Sequence, residues 1–468
     1  MPPGSRRDEM EMSMTRPMRV GIVGAGPAGI YAADLLTKDE TLAASGTPVS
    51  IDILDKLPSP YGLVRYGVAP DHPRIKQIQG ALHKILDKPE IRFLGNVEYG
   101  VDLKLEDLQH HYDAVIFATG SDRDRSLDIP GIELPGSHGA ADFVFWYDSH
   151  PDVAPDWHVE GTSVAVIGAG NVAVDVARIL AKDADNLLET DITDNVYQGL
   201  RAKKVTDVHV FARRGIAQGK FTPMELRELD KQPGVEVIVY PEDFDLDDAS
   251  LATLEESNQV KTNVKVLQNW AIRDPRGEEK RLHLHFLHRP VEVLGEERVE
   301  GLRTERMELT GDGNVRGTGV FIDHDVQAVY RAIGYLGSPA TDLPFDEDRG
   351  VIPNDAGRVL DLDERAIPGV YATGWIKRGP VGLIGHTKGD ALETITNLVA
   401  DRDHFTPAAE PEPESFLQLL VERGVHYTTW DGWQRLEAHE ESLGEEQGRK
   451  RVKVRERDEM TRIARAES

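Results

Sequence analysis

Two short glycine-rich stretches carry the residues in this chain best placed to do chemistry. They are Gly24-Ala25-Gly26-Pro27-Ala28-Gly29 and Gly168-Ala169-Gly170-Asn171-Val172-Ala173. In such a turn the first glycine bends the backbone sharply and the second lets a pyrophosphate approach. A small third residue lets the next helix pack on the strand. That helix offers unpaired N–H groups and a partial positive charge to the phosphates. The chemistry in view is dinucleotide binding, twice in one chain, or once beside a structural copy.

The residues downstream of each turn separate the two. After the first, the run Val49 to Leu54 ends on Asp55. A carboxylate at the end of a second strand accepts from ribose hydroxyls. Asp55 lies 26 residues beyond Gly29, against a usual spacing of about 20. After the second turn, Val208-His209-Val210-Phe211 leads into Ala212-Arg213-Arg214. Guanidinium forks pair with phosphate and cannot accept from a 2′-hydroxyl, so this unit prefers NADP to NAD.

The elements that must hold these residues are legible in the pattern. Val20 to Val23 and Val164 to Ile167 are short β-branched runs that predict buried strands, and Ile30 to Leu36 and Val174 to Leu180 predict the helices behind the turns. The segment 37–48, TKDETLAASGTP, lengthens the first helix and its loop and accounts for the late Asp55. Two further segments end in Ala-Thr-Gly, at 112–120 and 369–374. Each predicts a strand terminating where glycine lets the backbone approach a ligand. The second runs on through Trp375 and a glycine-rich stretch to Gly385, with a helix expected over 390–399. A helix N-terminus there suits the negative charge of a reduced flavin ring. The fold class is α/β, with two Rossmann-like dinucleotide-binding units.

Composition bounds the function. A chain of 468 residues exceeds one compact core. The formal charge of −27 argues against nucleic-acid binding, which needs a basic face. No apolar run reaches transmembrane length, so no integral membrane contact is expected. Residues 1–16 are polar and read as a disordered extension. The chain has no cysteine, which removes disulfides, redox dithiols and cysteine-held iron–sulfur clusters, and suits a cytoplasmic protein. Its 16 histidines show no metal-ligand spacing; the Leu282 to His288 run, LHLHFLH, reads as a structural strand, and no metal is expected.

Taken together, VGIVGAGPAGIYAADLL, DKLPSPYGLVRYGVAPDHPRIK, VAVIGAGNVAVDVARIL, FARRGIAQGKFTPMELREL and GVYATGWIKRGPVGLIG resemble the adrenodoxin reductase-like ferredoxin–NADP reductases, the actinobacterial branch above all. The likeness runs from about Met18 into the 450s. It implies a FAD domain over 17–121 and 333–468, interrupted by an NADP domain over 122–332. It also implies an ordered C-terminal region around His426 to Trp430. FAD would fall on Gly24, Gly26, Ala28, Gly29, Asp55, Leu63, Val97 (through its backbone), Trp375, Gly382, Leu383 and Ile384. NADP would fall on Gly168, Gly170, Asn171, Val172, Arg213, Arg214, Glu225, Trp375 and Gly382. The family often has Glu where Asp55 stands and Trp where Tyr61 stands; both departures keep the chemistry. His72 and Glu228 would pair at the flavin, positioning the nicotinamide rather than moving protons.

The activity so implied is hydride transfer from NADPH to FAD, then single-electron delivery to a ferredoxin by a monomeric enzyme. Hydride transfer asks the protein for orientation rather than acid–base chemistry. Without a dithiol, electrons must leave from the flavin edge. A flavoprotein passing electrons to oxygen or a small molecule carries the same motifs, and so does a non-catalytic nucleotide sensor. Since ferredoxins are usually acidic, docking on so acidic a protein needs a local basic patch. The resemblance nominates Arg227, Lys261 and Lys265, the last two one helical turn apart if 260–271 is helical.

Overall fold

The computed structural model describes residues 16–382 and 384–466. The chain opens with β1 (Met18–Val23), the helix Pro27–Thr37, β2 (Val49–Asp55), β3 (Ile91–Gly95) and β4 (Ala114–Phe117). It leaves this sheet through β5 (Arg123–Asp124). A second sheet follows, from β6 (Ser137–Gly139), β7 (Ser163–Ile167), β8 (Asp207–Ala212), β9 (Val235–Val239) and β10 (Lys280–Phe286). A meander of β11 (His288–Leu294), β12 (Gly301–Leu309) and β13 (Val315–His324) comes next, then β14 (Ala328–Arg331) closes the second sheet. The chain returns through β15 (Tyr335–Leu336) and completes the first sheet with β16 (Asn354–Asp355), β17 (Arg358–Leu360), β18 (Ala366–Ala372) and β19 (Thr428–Thr429).

The first sheet has the order β16-β17-β18-β4-β1-β2-β3-β19, the second β6-β14-β7-β8-β10-β9. From β18 to β3 the first sheet is parallel, and every residue of β1 is buried. Apart from Arg19, which is paired with Asp52 of β2 at 2.6 Å, β1 is the largely apolar, fully buried strand that helices on both faces of a sheet require. β5 and β15 pair antiparallel, Tyr335 with Asp124 and Leu336 with Arg123, so the two crossings between the sheets run side by side. The second sheet is thus an insertion into the first. Arg16, included above in a disordered extension, is instead anchored: its guanidinium donates to both oxygens of Asp113 at 2.6 and 2.8 Å. Residues 1–15 lie outside the described structure. Among the described residues no helix is long and apolar enough to cross a membrane.

Each glycine turn sits where neighbouring strands diverge, since β1 lies between β2 and β4, and β7 between β8 and β14. That crevice at the carboxyl ends of the strands is the ligand position of open α/β sheets. The two turns are pinned alike. Gly24 N–H donates to Leu54 O (2.7 Å) and Ala118 N–H to Val23 O (2.7 Å); Gly168 N–H donates to Phe211 O (3.0 Å) and Ala332 N–H to Ile167 O (2.8 Å). Gly24 and Gly168 both have positive φ, and a Cβ on either would strike the carbonyl of Ala118 or Ala332. A Cβ on Gly29 would lie 2.1 Å from Gly24 O, whereas one on Gly26 would meet nothing within 4 Å. Gly29→Ala should therefore lower stability by about 1–3 kcal/mol, seen in thermal unfolding of the ligand-free protein. Gly26→Ala should unfold like the native chain yet purify without bound flavin absorbance. Equal thermal midpoints for the two variants would contradict this reading of the turn.

Candidate functional site

Three of the residues the sequence assigned to the two cofactors converge on one junction. Leu63 begins a short helix after β2, Trp375 opens the helix Trp375–Arg378, and Val172 lies in the first turn of the helix Asn171–Ala181. All three pack on a small buried cluster of Ala141, Phe145 and Tyr335. The Trp375 and Tyr335 rings lie 6.5 Å apart. The two Ala-Thr-Gly segments are neighbours too, because β18 pairs in parallel with β4, Ala372 beside Phe117. Gly374 N–H and Thr373 Oγ1 donate to Asp390 Oδ2 at 2.5 and 3.2 Å. A Cβ at Gly374 would lie 2.5 Å from that of Ala28, so strand end and first turn abut. Gly382 is exposed with positive φ. Leu383 lies outside the described residues. Ile384 begins a helix running to Asp401, six residues earlier than the sequence indicated; its side chain is likewise outside the description.

Asp55 accepts from Ala25 N–H (2.8 Å) and Leu57 N–H (2.9 Å) and forms no ion pair among the described residues. Burial pushes its carboxyl above the usual range. Val97 is buried and its N–H goes to Asp55 O, leaving its carbonyl for any backbone contact. Tyr61 is buried edge-on against Trp433, with its N–H on Ala25 O. Asn171 Oδ1 accepts from Thr222 N–H (2.9 Å), bracing the second turn. Arg213 is exposed and Arg214 half-buried; neither enters an ion pair among the described residues, so both are available to a phosphate.

The expected partnership of His72 with Glu228 is not made. Glu228 bonds to Lys231 three residues on, at 2.7 Å. His72 Nε2 instead lies 3.0 Å from Asp175 and 2.8 Å from Glu225. The reason is helix phase. Thr222 caps the helix Pro223–Leu229 by accepting from Glu225 N–H. This fixes Glu225 on the buried side of the first turn, while Glu228 falls nearer the rim. Arg178 completes the cluster, forking onto Asp71 at 2.8 and 2.9 Å and bonding Asp175 at 2.7 Å. Asp71 and His72 come from the loop after β2, whereas Asp175, Arg178 and Glu225 come from the second unit. The network therefore joins the two units beside the junction. Burial disfavours the His72 cation and Arg178 opposes it, but hydrogen bonds to Asp175 and Glu225 prevail and push its pKa up to about 9.

A second buried network went unseen in the sequence. Lys453 Nζ bonds Arg65 O (3.0 Å) and Asp148 O (2.9 Å) and pairs with Asp191 at 3.3 Å. Lys76 bonds Asp148 and Asp191, and Arg65 forks onto Glu440. Lys453 belongs to the run Arg449-Lys450-Arg451-Val452-Lys453-Val454-Arg455, whose two valines are buried. That alternation of apolar and basic residues was the available signal. It marks an extended segment with one face in a core and the other on acids.

The helix Asn258–Ala271 exists as expected. Lys261 and Lys265 are exposed on it, Arg227 is exposed on the neighbouring helix Pro223–Leu229, and none is ion-paired among the described residues. The fold also gathers histidines that no ligand-spacing motif joins. His209, His283, His285, His288 and His324 come from three separate stretches of the sequence, and the sheet pairing and the meander gather their rings within contact.

Two sheets, each with a phosphate-type turn at a strand divergence, define a two-dinucleotide oxidoreductase. The family model described as pyridine nucleotide-disulphide oxidoreductase matches residues 18–383. The chain belongs to that family, in the branch of the NADPH-ferredoxin and adrenodoxin reductases. It is 41% identical to the NADPH-ferredoxin reductase FprA of Mycobacterium tuberculosis, over 96% of this chain and 99% of that protein. It is 35% identical to the mitochondrial NADPH:adrenodoxin oxidoreductase of Arabidopsis thaliana, over 94% of each. The solved structure of M. tuberculosis FprA in complex with NADPH superposes with a TM-score of 0.88 at 40% identity, covering 96% of this chain and all of that one.

Because the fold stabilises the His72 cation, that stabilisation is complete below the ordinary imidazole value of about 6.5. It is lost as pH rises through about 9. The difference in thermal midpoint between the native chain and His72→Gln should accordingly be largest below pH 6.5 and shrink across pH 7 to 9. A difference independent of pH would show that His72 is neutral in this cluster.

Proposed function

We propose that the chain is an FAD-dependent NADPH–ferredoxin reductase in which the first glycine turn holds FAD and the second holds NADPH. The carrying observation is the junction at which Leu63, Trp375 and Val172 share one apolar floor. It lies between two turns built alike but followed by opposite charges. The residues fit FAD. Gly26 leaves room that a Cβ would fill, and Asp55 is a half-buried carboxylate without an ion-pair partner among the described residues, suited to ribose hydroxyls. When bound, FAD supplies the conversion of a two-electron hydride donor into a one-electron donor.

The chain's own residues bind and orient. Gly24, Gly26, Ala28 and Gly29 receive the FAD pyrophosphate with the N-terminus of Pro27–Thr37, while Leu63, Trp375 and Gly382 border the ring. Val97 offers the adenine its carbonyl. Gly168, Gly170, Asn171 and Val172 take the NADP pyrophosphate. Arg213 and Arg214 grip the 2′-phosphate, and Glu225 keeps one oxygen for a ribose hydroxyl. The Asp71–Arg178 and Lys453–Asp148 networks hold the two units in register, so the nicotinamide meets the ring at one distance. On this reading 17–121 with 333–468 forms the FAD domain and 122–332 the NADP domain. An acidic iron–sulfur protein would dock on Arg227, Lys261 and Lys265, in a monomeric cytoplasmic enzyme.

Loss of one charged phosphate contact costs about 1.5–3 kcal/mol. Arg213→Ala should thus raise KM for NADPH about 10–100-fold and leave the poor use of NADH unchanged; an unaltered KM would move the 2′-phosphate elsewhere. The activity itself is tested by NADPH-driven reduction of cytochrome c. Turnover should depend on added ferredoxin, and Lys265→Glu should weaken ferredoxin binding and its salt dependence. Turnover indifferent to ferredoxin would favour a small-molecule acceptor.

A further inference from the structure

Toward the start of β8, the second sheet carries a chemistry the redox reaction does not use. Along the parallel pairing of β8 with β10, Asp207 faces Arg281, His209 faces His283 and Phe211 faces His285. One sheet face thus lines up a carboxylate and three imidazoles under the β11–β13 meander. The His209 and His283 rings stack with centroids 4.3 Å apart and planes within 7°. Two imidazolium ions would not stack so. Neutral imidazole is the form in which histidine binds metals.

Three groups of histidine and carboxylate ligand atoms converge within 4.8 Å among the described residues: His72 with Asp175 and Glu225, Asp243 with His285 and His288, and Asp207 with His209 and His283. The first two are already closed by a cation. Arg178, 1% exposed, places Nη2 at 2.7 Å from His72 Nε2. Arg306 is bonded to Asp243 and lies 3.2 Å from His288 Nε2. The third differs. Its arginine, Arg281, sits on Asp207 at 2.7 Å but is 51% exposed, so it can leave to water at little cost.

We propose that Asp207, His209 and His283 form a three-ligand site for a zinc-class divalent ion, with the Arg281 side chain lying across it in the metal-free chain. Two imidazoles and a carboxylate suit such an ion. His283 Nε2 and Asp207 Oδ1 are 3.0 Å apart, close to the about 3.3 Å between ligands of a tetrahedral ion bound at about 2.0–2.1 Å. The outer nitrogens are already held. His283 Nδ1 meets Tyr240 OH at 2.8 Å and His209 Nδ1 meets His285 Nε2 at 3.0 Å. This leaves Nε2 of each ring for the ion, the support that metal-binding histidines ordinarily have. Because the two rings lie face to face, uptake would tilt His209 toward Asp207 as Arg281 withdraws. Asp207 begins β8 whereas Arg213 follows its end, about 20 Å away at the rise of a strand. The ion would therefore brace the meander rather than relay electrons.

The test is zinc sulfate titrated into chelator-treated holoenzyme, followed by calorimetry and by metal analysis after gel filtration. One equivalent should bind and raise the thermal midpoint. His209→Gln and His283→Gln should each weaken binding at least tenfold with flavin content retained. Arg281→Ala should tighten it severalfold, because it removes the competing cation. Absence of stoichiometric binding overturns the proposal, as does binding that survives both histidine substitutions. Should a histidine variant lose its flavin through misfolding, Arg281→Ala decides alone: the substituted residue is exposed, and an unchanged zinc affinity there refutes the site.

Discussion

Two nucleotide-binding units can exchange a hydride only if something fixes one against the other, and here buried charge does so. Arg178, in the helix that starts at the second turn, is almost wholly enclosed and bonded to Asp71 from the first unit. Lys453 ties the C-terminal segment to Asp148 and Asp191 in the same way. Ion pairs so enclosed cost desolvation that their attraction barely offsets, and stripping one partner leaves an uncompensated charge. Such networks do little for net stability, but they admit one geometry. The reacting rings need that narrowness, since a displacement of about 1 Å slows transfer by about 10²-fold.

Within that frame the two turns show how little distinguishes one cofactor from another. Each has a first glycine backed by a carbonyl of the neighbouring strand and a second with open space before it. On the proposed assignment, selectivity rests on the end of the following strand. Among the described residues Asp55 accepts hydrogen bonds from backbone N–H groups alone, and Arg213 and Arg214 enter no ion pair. One end asks for hydroxyl donors, the other for a phosphate.

Features encoded within a few residues were legible in the sequence. The turns, the strands before them, Asp55 and the arginine pair are local patterns, and the fold sets each where the pattern puts it. The inserted arrangement of the sheets followed from the family likeness, not from local pattern. Choices settled across the domain boundary were not legible. Glu225 and Glu228 are three residues apart on one helix, and only the fold shows which reaches His72. A clue was present in NVAVDVARIL, where Asp175 and Arg178 stand in an otherwise apolar helix and so require partners. The five gathered histidines were hidden more deeply, because strand pairing of β8 with β10 makes neighbours of residues more than seventy positions apart.

The central claim is that electrons enter as a hydride at the Leu63–Trp375–Val172 junction and leave without any protein-borne redox relay. A cysteine-free chain holding one FAD should take up two electrons and no more. Anaerobic titration with NADPH, followed at the visible flavin band, measures this directly. Bleaching should be complete at about one equivalent of NADPH per bound flavin. Uptake of a second equivalent, or a band that NADPH leaves untouched, would contradict the account.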